Sequence, residues 1–139
     1  MTNITNSPAE TQQIAAQLAA ELQGGEVILL NGELGAGKTT FVQGFVQALG
    51  SADPVRSPTF TIMNIYQADH PAIKQIIHLD FYRLAETQLQ DLGLDEWLGR
   101  RDTVIIAEWP PAGLDWAGSR QIKIQLSIHS EQTRQIIVS

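Results

Sequence analysis

Eight consecutive residues, Gly32-Glu33-Leu34-Gly35-Ala36-Gly37-Lys38-Thr39, satisfy G-x-x-x-x-G-K-[ST], the spacing of a phosphate-binding loop. Each position has a physical task. The glycines let the backbone curl so that successive N–H groups converge on a polyphosphate. The helix that follows contributes its unpaired first amides and the positive end of its dipole. Lys38 neutralises the β- and γ-phosphates, and the Thr39 hydroxyl is placed to ligate magnesium. With 11 glycines in 139 residues and only three lysines, composition alone yields about 0.002 chance matches. A plain strand–helix turn has no use for the Lys38-Thr39 pair.

Phosphoryl chemistry also needs a carboxylate at the end of a neighbouring strand, to hold the metal or orient the attacking water. Two segments supply one. Ile76-Ile77-His78-Leu79-Asp80 ends in an aspartate, and Val104-Ile105-Ile106-Ala107-Glu108 ends in a glutamate. Pattern alone does not rank them, and both can serve one site; the plainer role of each is to cap the next loop. Ser57-Pro58-Thr59-Phe60-Thr61 carries hydroxyls where a switch loop senses a γ-phosphate, and equally fits a proline turn entering a strand. Trp109 fits stacking on a base or partner as well as a core or lid position. His78 has no metal-spaced companion and reads as a structural or hydrogen-bonding residue.

These residues need a frame. Ser7-Pro8-Ala9-Glu10 opens a helix with a capping serine, a proline at the first helical position and a glutamate three residues after the cap. Ile14, Leu18 and Leu22 continue its apolar stripe, and Gly24-Gly25 ends it. Val27-Ile28-Leu29-Leu30 reads as a strand buried in a parallel sheet. After the glycine-rich turn, Phe41, Val42, Phe45, Val46 and Leu49 give the next helix its buried face. Residues 59–67 and 74–80 read as strands of an antiparallel hairpin around Ala68-Asp69-His70-Pro71. Short helical pieces follow at 86–91 and 95–99, then strands at 103–107, 122–128 and 134–138. Leu92, Leu94, Trp97 and Leu98 form a packing face, and Arg100-Arg101 a solvated pair. The expected architecture is α/β, a three-layer domain of the P-loop type with a mixed parallel and antiparallel central sheet, spanning residues 1–139 with 1–6 flexible.

Composition narrows the function classes. Nine basic against fifteen acidic residues give a net charge of −6, a poor balance for gripping naked nucleic acid through its phosphates. The chain has no cysteine, which removes thiolate metal sites, disulfides and thiol nucleophiles. No apolar run approaches the ~20 residues of a membrane span. The N-terminus lacks the basic and apolar regions of a signal peptide, so a cytoplasmic location is expected.

The chain resembles the TsaE (YjeE) family, small bacterial ATPases of tRNA threonylcarbamoyladenosine synthesis. The matching blocks are Glu10-Thr11, residues 32–41 (the phosphate loop with Thr40-Phe41), Ser57-Pro58-Thr59-Phe60, His78-Leu79-Asp80-Phe81-Tyr82-Arg83, Glu108-Trp109-Pro110 and Arg134. The resemblance implies ATP and Mg²⁺ bound at Glu33, Leu34, Gly35, Ala36, Gly37, Lys38, Thr39 and Thr40, with weak intrinsic hydrolysis. It implies that Lys38 binds phosphates, that Thr39, Asp80 and Glu108 serve the metal or its water, and that Thr11 and Arg134 belong to the nucleotide site. Thr133 stands where the family often has glycine. Implied partners are TsaB and TsaD, with tRNA met through their complex and neither membrane nor DNA involved.

Other chemistries share some of these residues. A small-molecule kinase uses the same loop and acids, but no long lid segment or arginine-rich acceptor site is visible. A GTPase needs an Asn-Lys-x-Asp motif, which is absent. A nucleotide-gated binding module without catalysis would show the loop and no turnover.

Overall fold

A computed structural model describes residues 1–56, 63–82, 93–111 and 113–139. The readings made for residues 57–62, Arg83, the helical piece 86–91 and Leu92 lie outside the described residues. The elements are β1 (Thr2–Thr5), α1 (Pro8–Ala19), β2 (Val27–Gly32), α2 (Lys38–Ala48), β3 (Met63–Gln67), β4 (Gln75–Asp80), α3 (Leu94–Trp97), β5 (Thr103–Glu108), β6 (Gln121–Ile128) and β7 (Arg134–Val138).

All seven strands join one sheet in the order β1-β7-β6-β2-β5-β4-β3. The central four, β6-β2-β5-β4, run parallel, and the outer pairings are antiparallel. The mixed α/β sheet is thus as expected. β5 is buried along its whole length and β2 and β4 nearly so, which is why they read as unbroken apolar runs. β6 alternates buried and exposed positions, the pattern of a strand with, among the described residues, one face against the core.

Helices α1 and α2 pack side by side on one face of the sheet. Phe41, Phe45, Val42 and Val46 of α2 meet Ile28, Leu30, Ile76, Val104 and Ile106 there. The helices approach closely at Gly44, where a Cβ would lie 2.6 Å from the Cα of Gln12. Among the described residues, the opposite face is covered by Leu94 of α3, Phe81 and Trp116 over Ile77, Leu79, Ile105 and Ala107. Phe81 and Trp116 meet edge to face, with centroids 6.0 Å apart.

The start of α1 follows its sequence signature. The Ser7 side chain accepts the Glu10 N–H, and Glu10 reaches back to accept the Asn6 N–H at 2.6 Å. The helix closes earlier than its apolar stripe, at Ala19; i→i−3 bonds then carry the chain to Leu22, which stays buried. At Gly24, with φ +103°, a Cβ would collide with the Arg101 carbonyl, so that turn requires glycine.

The expectation of a loose N-terminus does not hold for Thr2–Thr5, which pair with β7 from Thr2↔Ile137 to Thr5↔Arg134. Strand pairing there is carried by the backbone ladder and two threonines and an isoleucine, none of which needs an apolar run. Thr5 is buried, its Oγ1 2.8 Å from that of Thr11 on α1.

Candidate functional site

The parallel register brings three strand ends level. Leu30 of β2 lies opposite Glu108 of β5, and Glu108 opposite Asp80 of β4. Strand alternation puts His78 and Asp80 on the face of Ile76, and Glu108 on the face of Val104 and Ile106. That is the face covered by α1 and α2. Both acids therefore emerge on the side where β2 turns into α2, at the carboxyl ends of the strands, where open α/β sheets bind ligands.

The turn itself has the required permissiveness. Gly35 and Gly37 have φ of +82° and +99°, and nothing lies within 4 Å of a Cβ built on either. The amides of Lys38, Thr39 and Thr40 begin α2, so no intrahelical carbonyl accepts them. Glu33, Leu34, Gly35, Gly37, Lys38, Thr39 and Thr40 border a cleft of about 640 Å³, and Asp80 and Glu108 close its far side. Ala36 faces the other way, fully buried beneath the loop, with its N–H donating to the Glu33 carbonyl.

Four of the cleft side chains have defined contacts. Lys38 Nζ donates to the carbonyls of Gly32 and Glu33 and sits 4.8 Å from the centre of the Trp109 ring. Asp80 Oδ1 accepts the Tyr82 N–H at 2.9 Å, so the loop-capping role is real and coexists with a place in the cleft. Glu108 is 4% exposed, and its Oε2 accepts from His78 Nε2 at 2.5 Å. Trp109 takes a left-handed φ of 54°, uncommon for an aromatic residue, which turns the chain out across the cleft against Tyr82.

A second cleft of about 460 Å³ lies on the other side of the loop and shares Gly35, Gly37 and Thr40 with the first. Thr11 and Arg134 both border it, together with Asn6, Ser7 and Pro8. The Arg134 guanidinium donates to the carbonyls of Ser130, Glu131 and Thr133 and to that of Gly35 in the phosphate loop at 3.2 Å. Thr133 has no positive φ, so glycine is not needed before Arg134 for this contact. Sequence reasoning did not single out Tyr82 or Tyr66. Tyr82 follows from its place beside Asp80; Tyr66 depends on hairpin register, for which the sequence carries no clear signal.

The donor set suits a hard cation. One hydroxyl and two carboxylates offer oxygen alone, and among the described residues no cluster of three His, Asp or Glu forms a closed cage. Magnesium is held in this way, by few protein oxygens with phosphates and waters completing the shell. No described helix is long and apolar enough to cross a membrane.

Comparison with known proteins points to one family. Residues 5–136 match the family model described as "Threonylcarbamoyl adenosine biosynthesis protein TsaE". The chain is 44% identical over 105 residues to the tRNA threonylcarbamoyladenosine biosynthesis protein TsaE of Bacillus subtilis, covering 76% of this chain and 63% of that one. It is 41% identical over 108 residues to the protein of the same description from Aquifex aeolicus, covering 76% and 74%. The crystal structure of Bacillus subtilis YdiB superposes with a TM-score of 0.73 at 34% identity, over 98% of this chain and 82% of that one.

Proposed function

Since the chain belongs to the TsaE family of threonylcarbamoyl adenosine biosynthesis proteins, we propose that it is the ATP-binding and weakly ATP-hydrolysing subunit of that machinery. It acts with TsaB and TsaD, which modify the adenosine beside the anticodon of tRNAs reading codons that begin with A. The observation that carries this reading is the register-matched pair Asp80 and Glu108 facing Lys38 and Thr39 across one cleft.

The polyphosphate lies along the phosphate loop, between the two clefts that flank it. The nucleoside end occupies the side of Thr11 and Arg134, and the γ-phosphate the side of the acids. Lys38 exchanges its loop carbonyls for phosphate oxygens, and the first amides of α2 add neutral donors. Thr39, Asp80 and Glu108 are the residues that would hold Mg²⁺, which when bound neutralises charge on the β- and γ-phosphates. In this reading Glu108 also orients the attacking water. The acidic chain meets tRNA through its partners rather than by its own surface.

The decisive experiment is reconstitution with TsaB, TsaD and substrate tRNA, following ATP turnover as each component is omitted. Slow turnover alone, well below the ~10 s⁻¹ typical of enzymes, and a partner-dependent rise are expected. Asp80→Asn and Glu108→Gln should each cut that turnover by at least tenfold. ATP binding without turnover in the full complex would instead mark a nucleotide-gated binding module.

A further inference from the structure

His78 is fully buried on β4, at a position flanked by Ile76, Ile77 and Leu79 that an aliphatic residue would fill without needing a partner. A buried imidazole is costly unless both ring nitrogens are paired. Both are. Nε2 meets Glu108 Oε2 at 2.5 Å, and Nδ1 meets the Tyr66 hydroxyl at 3.2 Å. Tyr66 is itself anchored: its hydroxyl oxygen accepts the Arg56 N–H at 3.4 Å and lies 3.1 Å from the Arg56 carbonyl, and with Nε2–H on Glu108 its single proton goes to Nδ1. Asn64 Nδ2 donates to that same carbonyl at 3.1 Å. A line of hydrogen bonds thus crosses three adjacent strands, from the cleft carboxylate on β5 through His78 on β4 to Tyr66 on β3. It ends on the backbone of Arg56.

We propose that His78, braced by Tyr66, is a positioning residue for ATP hydrolysis that fixes the Glu108 carboxylate in one orientation. The inference rests on the ATPase reading above and deepens it. A glutamate has three side-chain torsions, and the bond to His78 Nε2 fixes the carboxylate at their end. With Oε2 taken by Nε2–H, Oε1 is the oxygen left for water or metal, so Glu108 presents one acceptor rather than two interchangeable ones. Groups that orient a reacting carboxylate in this way typically contribute 10- to 100-fold in activity. His78 borders neither cleft and acts only through Glu108.

The test compares His78→Leu, His78→Gln and Tyr66→Phe in the full chain, measuring single-turnover ATP hydrolysis, equilibrium ATP affinity and thermal unfolding. Glutamine keeps an N–H donor near the place of Nε2, and leucine removes it. His78→Leu should slow hydrolysis roughly 10- to 100-fold with ATP affinity within about twofold, and His78→Gln should recover most of the rate. Tyr66→Phe, which leaves His78 in place, should lose about threefold or more. Without any ligand, proton NMR should show a strongly deshielded imidazole N–H that disappears in His78→Leu and moves upfield in Glu108→Gln. A wild-type rate in His78→Leu overturns the proposal. So does a His78→Gln variant that melts like the wild type yet is as slow as leucine, or the lack of the deshielded resonance. Should His78→Leu fail to fold, a wild-type rate in Tyr66→Phe overturns the braced arrangement. A wild-type chain with no turnover, alone or with partners, defeats the ATPase reading and this inference together. Turnover that is indifferent to His78 defeats the inference alone.

Discussion

Lys38 is bonded at the cleft rim to carbonyls of its own loop and to the face of Trp109, which is 37% exposed. None of these contacts belongs to the core, so the charge can be removed at little structural cost. Lys38→Ala should weaken ATP binding at least tenfold while stability changes by no more than about 0.5 kcal/mol, checked by nucleotide titration and urea unfolding. Tyr66 behaves oppositely, because its phenol is part of the fold. Burial pushes its ionisation above the ordinary value of 10.0, partly offset by bonds from the Arg56 backbone and Asn64, while the Glu108 charge adds to the rise. A raised value means that the folded state favours the protonated phenol. That contribution is complete below about pH 10 and is lost as pH climbs through the higher folded value. Tyr66→Phe should therefore show a shallower loss of stability than the wild type above about pH 10, measured by urea unfolding across the alkaline range.

Elements meet where side chains leave room. Gly44 sits within α2, a place where alanine would ordinarily gain about 1 kcal/mol of helix propensity. Its missing Cβ is what lets α1 approach, since that atom would lie 2.6–2.7 Å from the Cα, Cβ and O of Gln12. Backbone cannot yield as a flexible side-chain tip does, so steric cost outweighs propensity. Gly44→Ala should destabilise the protein by roughly 1–3 kcal/mol, read from the midpoint of urea unfolding. Helix α2 itself was legible in the sequence because Phe41, Val42, Phe45 and Val46 recur at helical spacing and all are buried. The packing partner of Gly44 was not, because a glycine inside a helix announces a close approach without naming what approaches.

One edge of the sheet is formed by a strand whose sequence looks dispensable. β1 extends the sheet beyond β7, and Thr5 pairs with Thr11 beside the second cleft. Removing residues 1–5 takes away the β1–β7 ladder and leaves the buried Thr11 hydroxyl without that partner, which costs about 1–3 kcal/mol for the hydroxyl alone. The shortened chain should melt several degrees lower, by roughly 3–5 °C for each kcal/mol lost at this size. It should also bind ATP more weakly than the full chain, since Asn6 and Thr11 border the second cleft. Unchanged melting and unchanged affinity would show β1 to be passive.

Local rules determined much of this protein from its sequence. Glycine permissiveness and the Lys38-Thr39 pair marked out the glycine-rich turn between β2 and α2, and unbroken apolar runs identified the buried parallel strands that end in Asp80 and Glu108. Those signals are local, because backbone freedom and burial on both faces leave their mark on neighbouring residues. Tertiary structure alone decided what those acids touch. The order β2-β5-β4 and its register put Glu108 between the phosphate loop and Asp80. Hairpin pairing brought Tyr66 to His78, and β1 was recruited to an edge by backbone bonds that polar residues make as well as apolar ones. Hydrogen bonds between strands thirty residues apart follow from register, and register is a property of the assembled sheet rather than of any segment within it.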